Sequence, residues 1–218
     1  MAERPLDAQE RAELCDLFDE LGPDAPTLCE GWTTADLAAH LVVRERDPRS
    51  TPGILLGGGR MADYTERLMA RAKARGYEWL IGRIRSGPPL GPFRVPGLRE
   101  LTNLAEYFIH HEDVRRANDR PPRTGAEVAE LQDHLWRILR RAARFQARAV
   151  PRGVGLEFEA PGREVVVARR GDPGRIARLA GEPGELTLYL AGRRAAADVA
   201  LTGDADAVTA VQEAKLGL

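Results

Sequence analysis

The chain has 218 residues, 43% of them hydrophobic and 30% charged, with a formal net charge of −1. That length allows one large domain or two small ones with a real core. The charge balance excludes a general nucleic-acid binder, which needs a basic excess to displace counterions, and an electrostatic membrane anchor.

The N-terminus, MAERPLDAQERAEL, is charged and lacks the apolar stretch of a signal peptide. No apolar run approaches the ~20 residues that span a bilayer. A cytoplasmic protein with no membrane and no nucleic-acid partner is expected. Cys15 and Cys29 are then expected to be thiols. Lysine occurs only at Lys73 and Lys215, and the arginine bias reads as codon usage of a GC-rich bacterial genome.

Asp7 and Glu10 predict a capping box for the first helix. Leu14, Leu17, Phe18 and Leu21 form its apolar face, and Gly22-Pro23 ends it. After the loop DAPTLCEGW a second helix is capped by Thr33, with Asp36 at N3, and runs to about Arg46. It places Leu37, His40 and Leu41 on one face, and Pro48 stops it. Arg49 to Gly59 reads as a loop. A third helical region starts near Arg60, is interrupted at Gly76, and continues through Trp79, Leu80 and Ile84. Ser86 to Gly97 is too proline-rich for regular structure.

A fourth helix is predicted from near Leu98 to about Asn118, with Leu101, Leu104, Ala105 and Phe108 inward. A fifth opens on a Thr124/Glu127 capping box and carries a long stripe from Val128 to Phe145. Near Pro151 the period changes. Leu156 and Phe158 alternate with Glu157 and Glu159 as a strand, Pro161-Gly162 turns, and Val165 and Val167 return. Glu185 to Leu190 (ELTLYL) alternates like a strand, though Leu186 and Leu190 also fit a helix. Ala197 to Thr202 reads as a strand, and Asp204 caps a short last helix. The boundary is expected between Ala147 and Gly153.

Glu106 and His110 lie one turn apart on one helix face, with Asp113 three residues further. On helical angle this strip is opposite Leu101 and Phe108, and from that helix alone it reads as a solvated face. The sharper reading makes Glu106 and His110 two ligands of one metal, as in helical zinc sites. His40, inward beside Leu37 and Leu41, is the candidate third ligand; its plainer reading is a core-edge histidine bonded to a carbonyl. Asp113 would accept the ring N–H of His110 and hold its tautomer, or else pair with Arg115 or Arg116. His111 points about 100° away and reads as surface or as support around the site. His134 reads as structural. Cys29 reads as an incidental loop cysteine, with nothing nearby to depress its pKa. Gly57-Gly58-Gly59 lacks the Lys-Ser/Thr of a phosphate loop, and there is no nucleophile elbow or CxxC.

Two stretches together are more specific. LCEGWTTADLAAHLVVRERDP (Leu28 to Pro48) resembles the Gly-Trp-Thr turn and histidine-bearing helix of the mycothiol-dependent maleylpyruvate isomerase family, in the DinB-like superfamily. NLAEYFIHHEDVRRAN (Asn103 to Asn118) resembles its second signature, Glu-x-x-x-His-x-x-Asp. The tail, with GELTLYLAGRRAA and Gly203-Asp204, resembles the small α/β domain that follows, similar to sterol carrier protein type 2.

The resemblance implies a mainly α fold. An up-down four-helix bundle of the DinB-like type would span 1–148, and a small α/β domain 152–218. It implies a divalent metal, zinc by ligand type, on His40, Glu106 and His110 with an open position. It also implies a helix at Glu185 to Leu190 and a Glu106 strip that faces the cleft. The function implied is a mycothiol-dependent isomerase or S-transferase acting on a small electrophile, with Asp113 supporting His110. Arg44, one turn after His40, would bind an anionic group of thiol or substrate, or form a salt bridge with nearby carboxylates. No catalytic residue is assigned. A non-catalytic metal-binding module of the same fold and a metal-free structural domain are the alternatives, and the oligomeric state, homodimer included, is open.

Overall fold

The computed structural model describes residues 4–47, 59–89, 103–214 and 216. The expected loop at 49–58, residues 90–97 of the proline-rich segment and the predicted helix start at 98–102 lie outside the described residues. The fold is mainly helical with one small four-stranded sheet, and the chain divides into two compact units, Met1–Pro122 and Arg123–Leu218.

The first unit is helical. Helix α1 (Leu6–Leu21) begins with Pro5 at its N-cap, so Asp7 sits in the first turn and is not the cap. There its charge favours the helix N-terminus. The helix ends at Gly22, whose φ of 79° only glycine adopts without strain. Helix α2 (Thr34–Arg46) starts as read: Asp36 Oδ2 accepts from Thr33 N at 3.1 Å and from Thr33 Oγ1 at 2.9 Å. Helices α3 (Gly59–Lys73) and α4 (Tyr77–Arg85) are separated at Gly76, with φ 94°. Helix α5 spans Ala105–Ala117.

α1 packs on α4 and α5, and α2 on α3 and α4. Leu14, Cys15, Phe18, Leu37, Leu41, Leu80, Ile84 and Tyr107 are buried between them. Each large apolar side chain contributes roughly 1.5–3 kcal/mol by leaving water. Within this core lies a charged cluster. Arg11 donates to both oxygens of Glu45 at 2.5 and 2.9 Å and to Ile84 O at 3.1 Å, and Tyr107 Oη donates to Glu45 Oε1 at 2.8 Å.

In the second unit, a short 3₁₀ turn (Ala126–Val128) leads into helix α6 (Ala129–Gln146). Gly125, φ 97°, holds the N-cap place of that turn, and no side chain caps it, so the Thr124/Glu127 capping box does not form. Strands β1 (Gly155–Glu159), β2 (Val166–Arg169), β3 (Ile176–Ala180) and β4 (Ala200–Gly203) form one sheet in the order β2-β1-β3-β4. The β1/β3 pair is parallel and the others antiparallel.

The ambiguous ELTLYL segment is helix α7 (Pro183–Leu190). Its alternation misleads because Leu186, Leu188 and Leu190 are all buried, as in a helix that is covered all round. Asp204 caps helix α8 (Ala205–Glu213) by accepting from Ala207 N at 3.0 Å.

By contacts the compact units divide after Pro122. Trp136, Leu139 and Ala143 of α6 share a core with Leu156, Phe158, Leu179 and Val211, so α6 packs with the sheet and the break falls at Pro122. An amphipathic stripe shows that a helix needs a partner, not which partner it takes.

Candidate metal centre

Helix α5 is buried on nearly every side, so the solvated-face reading of its polar strip does not hold: His110, His111, Glu112 and Asp113 are all buried. Each charge is met locally. Glu112 binds Arg115 at 3.2 Å and Arg116 at 2.9 Å. His111, expected at the surface or supporting the site, is buried with its Nδ1 3.0 Å from Glu10 Oε2.

The structure brings His40 of α2 against Glu106 and His110 of α5. His40 Nε2 and His110 Nε2 each lie 3.3 Å from Glu106 Oε1. The two imidazole rings have centroids 5.1 Å apart. One ligand atom from each of the three side chains lies within 4.8 Å of the others. Donors bound to a tetrahedral zinc at about 2.1 Å stand roughly 3.4 Å from one another. The two nitrogen–oxygen separations of 3.3 Å therefore match the spacing such an ion requires.

The surroundings orient these groups. His110 Nδ1 lies 2.9 Å from Asp113 Oδ2 and donates to it, which leaves Nε2 directed at Glu106. Cys29 Sγ lies 3.3 Å from the same Oδ2. The loop before α2 is held there by Leu28 N donating to Asp113 O at 3.1 Å, and it brings Trp32 to 5.3 Å from the His40 ring. Arg44 Nε is 3.0 Å from Glu106 Oε1, and its Nη1 donates to Asn103 at 3.3 Å. Arg44 thus forms a salt bridge with the candidate ligand itself.

The electrostatics follow from burial and these contacts. Burial alone would raise the Glu106 pKa, but bonds from His110 and His40 and the Arg44 charge hold it well below the ordinary carboxylate value. Burial pushes His40 down, only partly offset by Glu106. Burial also works against a charged His110, yet Asp113, Cys29 and Glu106 together raise it well above its ordinary value.

Cys29, read from the sequence as an incidental loop cysteine, lies beside the site. Its neighbours Asp113 and His110 lie on another element, and no spacing rule joins it to them. His134 is not drawn in: its Nδ1 lies 3.0 Å from Glu130 O on its own helix. Cys29, His110 and Asp113 form a second group of possible ligands that shares His110, and a third, Glu10, Glu13 and His111, has Glu13 exposed and 4.0 Å from the ring nitrogen. A cavity of about 420 Å³ lined by Arg4, Ala8, Arg11, Arg85 and Pro88 includes none of the His40–Glu106–His110 set.

The helical unit thus gathers two imidazoles and a carboxylate from two helices, a donor set that could hold a divalent ion. Residues 7–85 match the family model described as mycothiol maleylpyruvate isomerase N-terminal domain, which supports the resemblance read from the sequence. The matched stretch contains α1 to α4 and His40; Glu106, His110 and Asp113 lie beyond its end. No curated protein and no solved structure matches the chain. No described helix is long and apolar enough to cross a membrane.

Proposed function

We propose that the chain is a cytoplasmic divalent-metal protein of the DinB-like type that uses a low-molecular-weight thiol, mycothiol in the family it resembles. It would act as an isomerase or S-transferase on a small electrophile. His40, Glu106 and His110 would hold the ion, zinc by the nature of the donors. The observation that carries this reading is the pair of 3.3 Å separations from Glu106 Oε1 to two imidazole nitrogens. When bound, the ion would lower the pKa of a coordinated thiol so that the thiolate forms near neutral pH.

The protein's own groups have distinct parts. Asp113 keeps the His110 proton on Nδ1 and so keeps Nε2 available as a donor. Arg44 now shares Glu106 Oε1 with the two rings. A cation at that oxygen would displace this contact and leave the guanidinium able to turn to a carboxylate of thiol or substrate. The part of the second unit that follows α6, with its β-β-β-α-β-α order, is read as the small domain similar to sterol carrier protein type 2.

Elemental analysis of purified protein tests the metal: about one divalent ion per chain is expected. His40→Ala, Glu106→Ala and His110→Ala should each lose it, and His134→Ala should keep it. Cobalt-substituted protein should develop a thiolate charge-transfer band on addition of mycothiol at neutral pH, and replacement of both cysteines by Ser should leave that band intact. Metal retention in both histidine variants refutes the ligand set. A cobalt spectrum indifferent to thiols leaves a metal-binding module without thiol chemistry.

A further inference from the structure

The outer face of α6 has a charge pattern unlike the rest of the chain. Residues 134–156 contain Arg137, Arg140, Arg141, Arg144, Arg148 and Arg152 and no Asp or Glu, within a protein of net charge −1. The apolar side of the helix is taken up by the core, so its arginines face out.

Arg140, Arg141 and Arg144 line a groove of about 470 Å³ together with Glu164, Val165, Val166 and Val167. These arginines make no ion pair or hydrogen bond among the described residues. Elsewhere in the unit Arg163 pairs with Asp133 at 2.7 Å and Arg178 with Glu157 at 2.8 Å.

Two further observations converge on the groove. Of the exposed large apolar side chains among the described residues, Phe145, Val165, Val167 and Ile176, two line it, and Phe145 lies on α6 beneath the Arg148 guanidinium at 3.6 Å. The lining also runs through residues 164–167, of which Glu164 and Val165 lead into β2 and Val166 and Val167 open it. The groove thus lies along the start of β2. β2 is the terminal strand of its sheet, paired on one side by β1 and by no described strand on the other.

We propose that this groove is a docking site for an acidic, extended segment of a partner protein, added as a strand to the free edge of β2. Its backbone would pair with residues 165–167, its carboxylates would meet Arg140, Arg141 and Arg144, and its alternate apolar residues would cover Val165 and Val167. Glu164, the one carboxylate on the lining, requires that the acidic positions lie towards the arginines. A bilayer fits less well, because it could not use a concave strand edge. A free anion would use neither the edge nor the valines.

The test uses the full chain and a fluorescein-labelled peptide of sequence Glu-Val-Glu-Val-Glu-Val, read by fluorescence anisotropy. Saturable micromolar binding is expected, weakening with salt. Arg140→Glu/Arg144→Glu should weaken it by at least roughly tenfold, with an unchanged melting temperature because both positions are exposed. The same peptide N-methylated at alternate amides should lose binding, since it cannot pair with an edge, and Lys in place of Glu should abolish it. No binding of the parent peptide overturns the proposal. So does equal binding of the N-methylated peptide, or equal binding by the charge-reversed variant. Binding of phosphatidylglycerol vesicles without the peptide would assign the patch to a lipid surface instead and equally overturn it.

Discussion

Asp113→Asn separates an ordering role at the proposed metal centre from a merely structural one. Asp113 is fully buried, and its Oδ2 accepts from His110 Nδ1 at 2.9 Å and lies 3.3 Å from Cys29 Sγ. The substitution keeps shape and an acceptor but removes the charge that holds His110 in one tautomer. Loss of such an outer partner costs about 10–100-fold in metal affinity, or roughly 1.4–2.7 kcal/mol. Because the retained amide can still accept from the ring, Asp113→Asn should fall near tenfold and Asp113→Ala near hundredfold. Competition against a chromogenic zinc chelator gives the constants. Melting curves with and without zinc give a second readout, since the metal-induced stabilisation follows the same constant. If both variants bind zinc as tightly as the parent while melting lower without it, Asp113 is only a core carboxylate and the reasoning fails.

Three further outcomes follow from the same geometry. His110 has a raised pKa without metal, so zinc must displace its proton. Calorimetry in buffers of different ionisation enthalpy should then show proton release at neutral pH, and zinc affinity should climb as pH rises from about 6.5. By the same sign, the stability that His110 gives the metal-free protein is full below its ordinary value and fades as pH rises through its raised one. Glu45→Gln should cost about 3–5 kcal/mol in denaturant unfolding by leaving Arg11 buried without its ion partner, whereas Tyr107→Phe should cost only about 1–3 kcal/mol. Cys15 has no exposure, and burial pushes its pKa up to about 12; iodoacetamide at neutral pH should leave it unlabelled in the folded protein and modify it in urea.

What could be read from the sequence was local. The Thr33/Asp36 cap, the break at Gly76, the strand at Leu156 to Phe158 and the Asp204 cap each depend on neighbours a few residues apart, and each forms. The Glu106/His110 pair was also local, being an i, i+4 relation on one helix. The polar strip was harder, because helical angle gives direction but not the depth of the helix. α5 is covered on nearly all sides, and for His111 it is a long-range partner, Glu10, that makes the burial tolerable. The same limit hid the Cys29 contact with Asp113 and the membership of α6. Each depends on which surfaces meet, and hydrophobic periodicity carries no information about that.

The site and the core beneath it are one arrangement. His40 and Glu45 sit on α2, and Glu106, Tyr107 and His110 on α5. Tyr107 donates to Glu45 at 2.8 Å, and Arg11 from α1 binds both Glu45 oxygens while its guanidinium lies 4.3 Å from the Tyr107 ring. Glu45 is 3% exposed and Tyr107 wholly buried, so these bonds face no competition from water. They tie α2 to α5 one turn from where His40 faces Glu106. A slip of either helix would break a buried charge contact before it could separate the candidate ligands. Burying such a network rarely adds net stability over an apolar core. Here it serves register, because the 3.3 Å spacing around Glu106 Oε1 is held by bonds that involve no metal. The candidate donors are thus held together by contacts that need no ion, as the proposed coordination by three side chains from two helices would require.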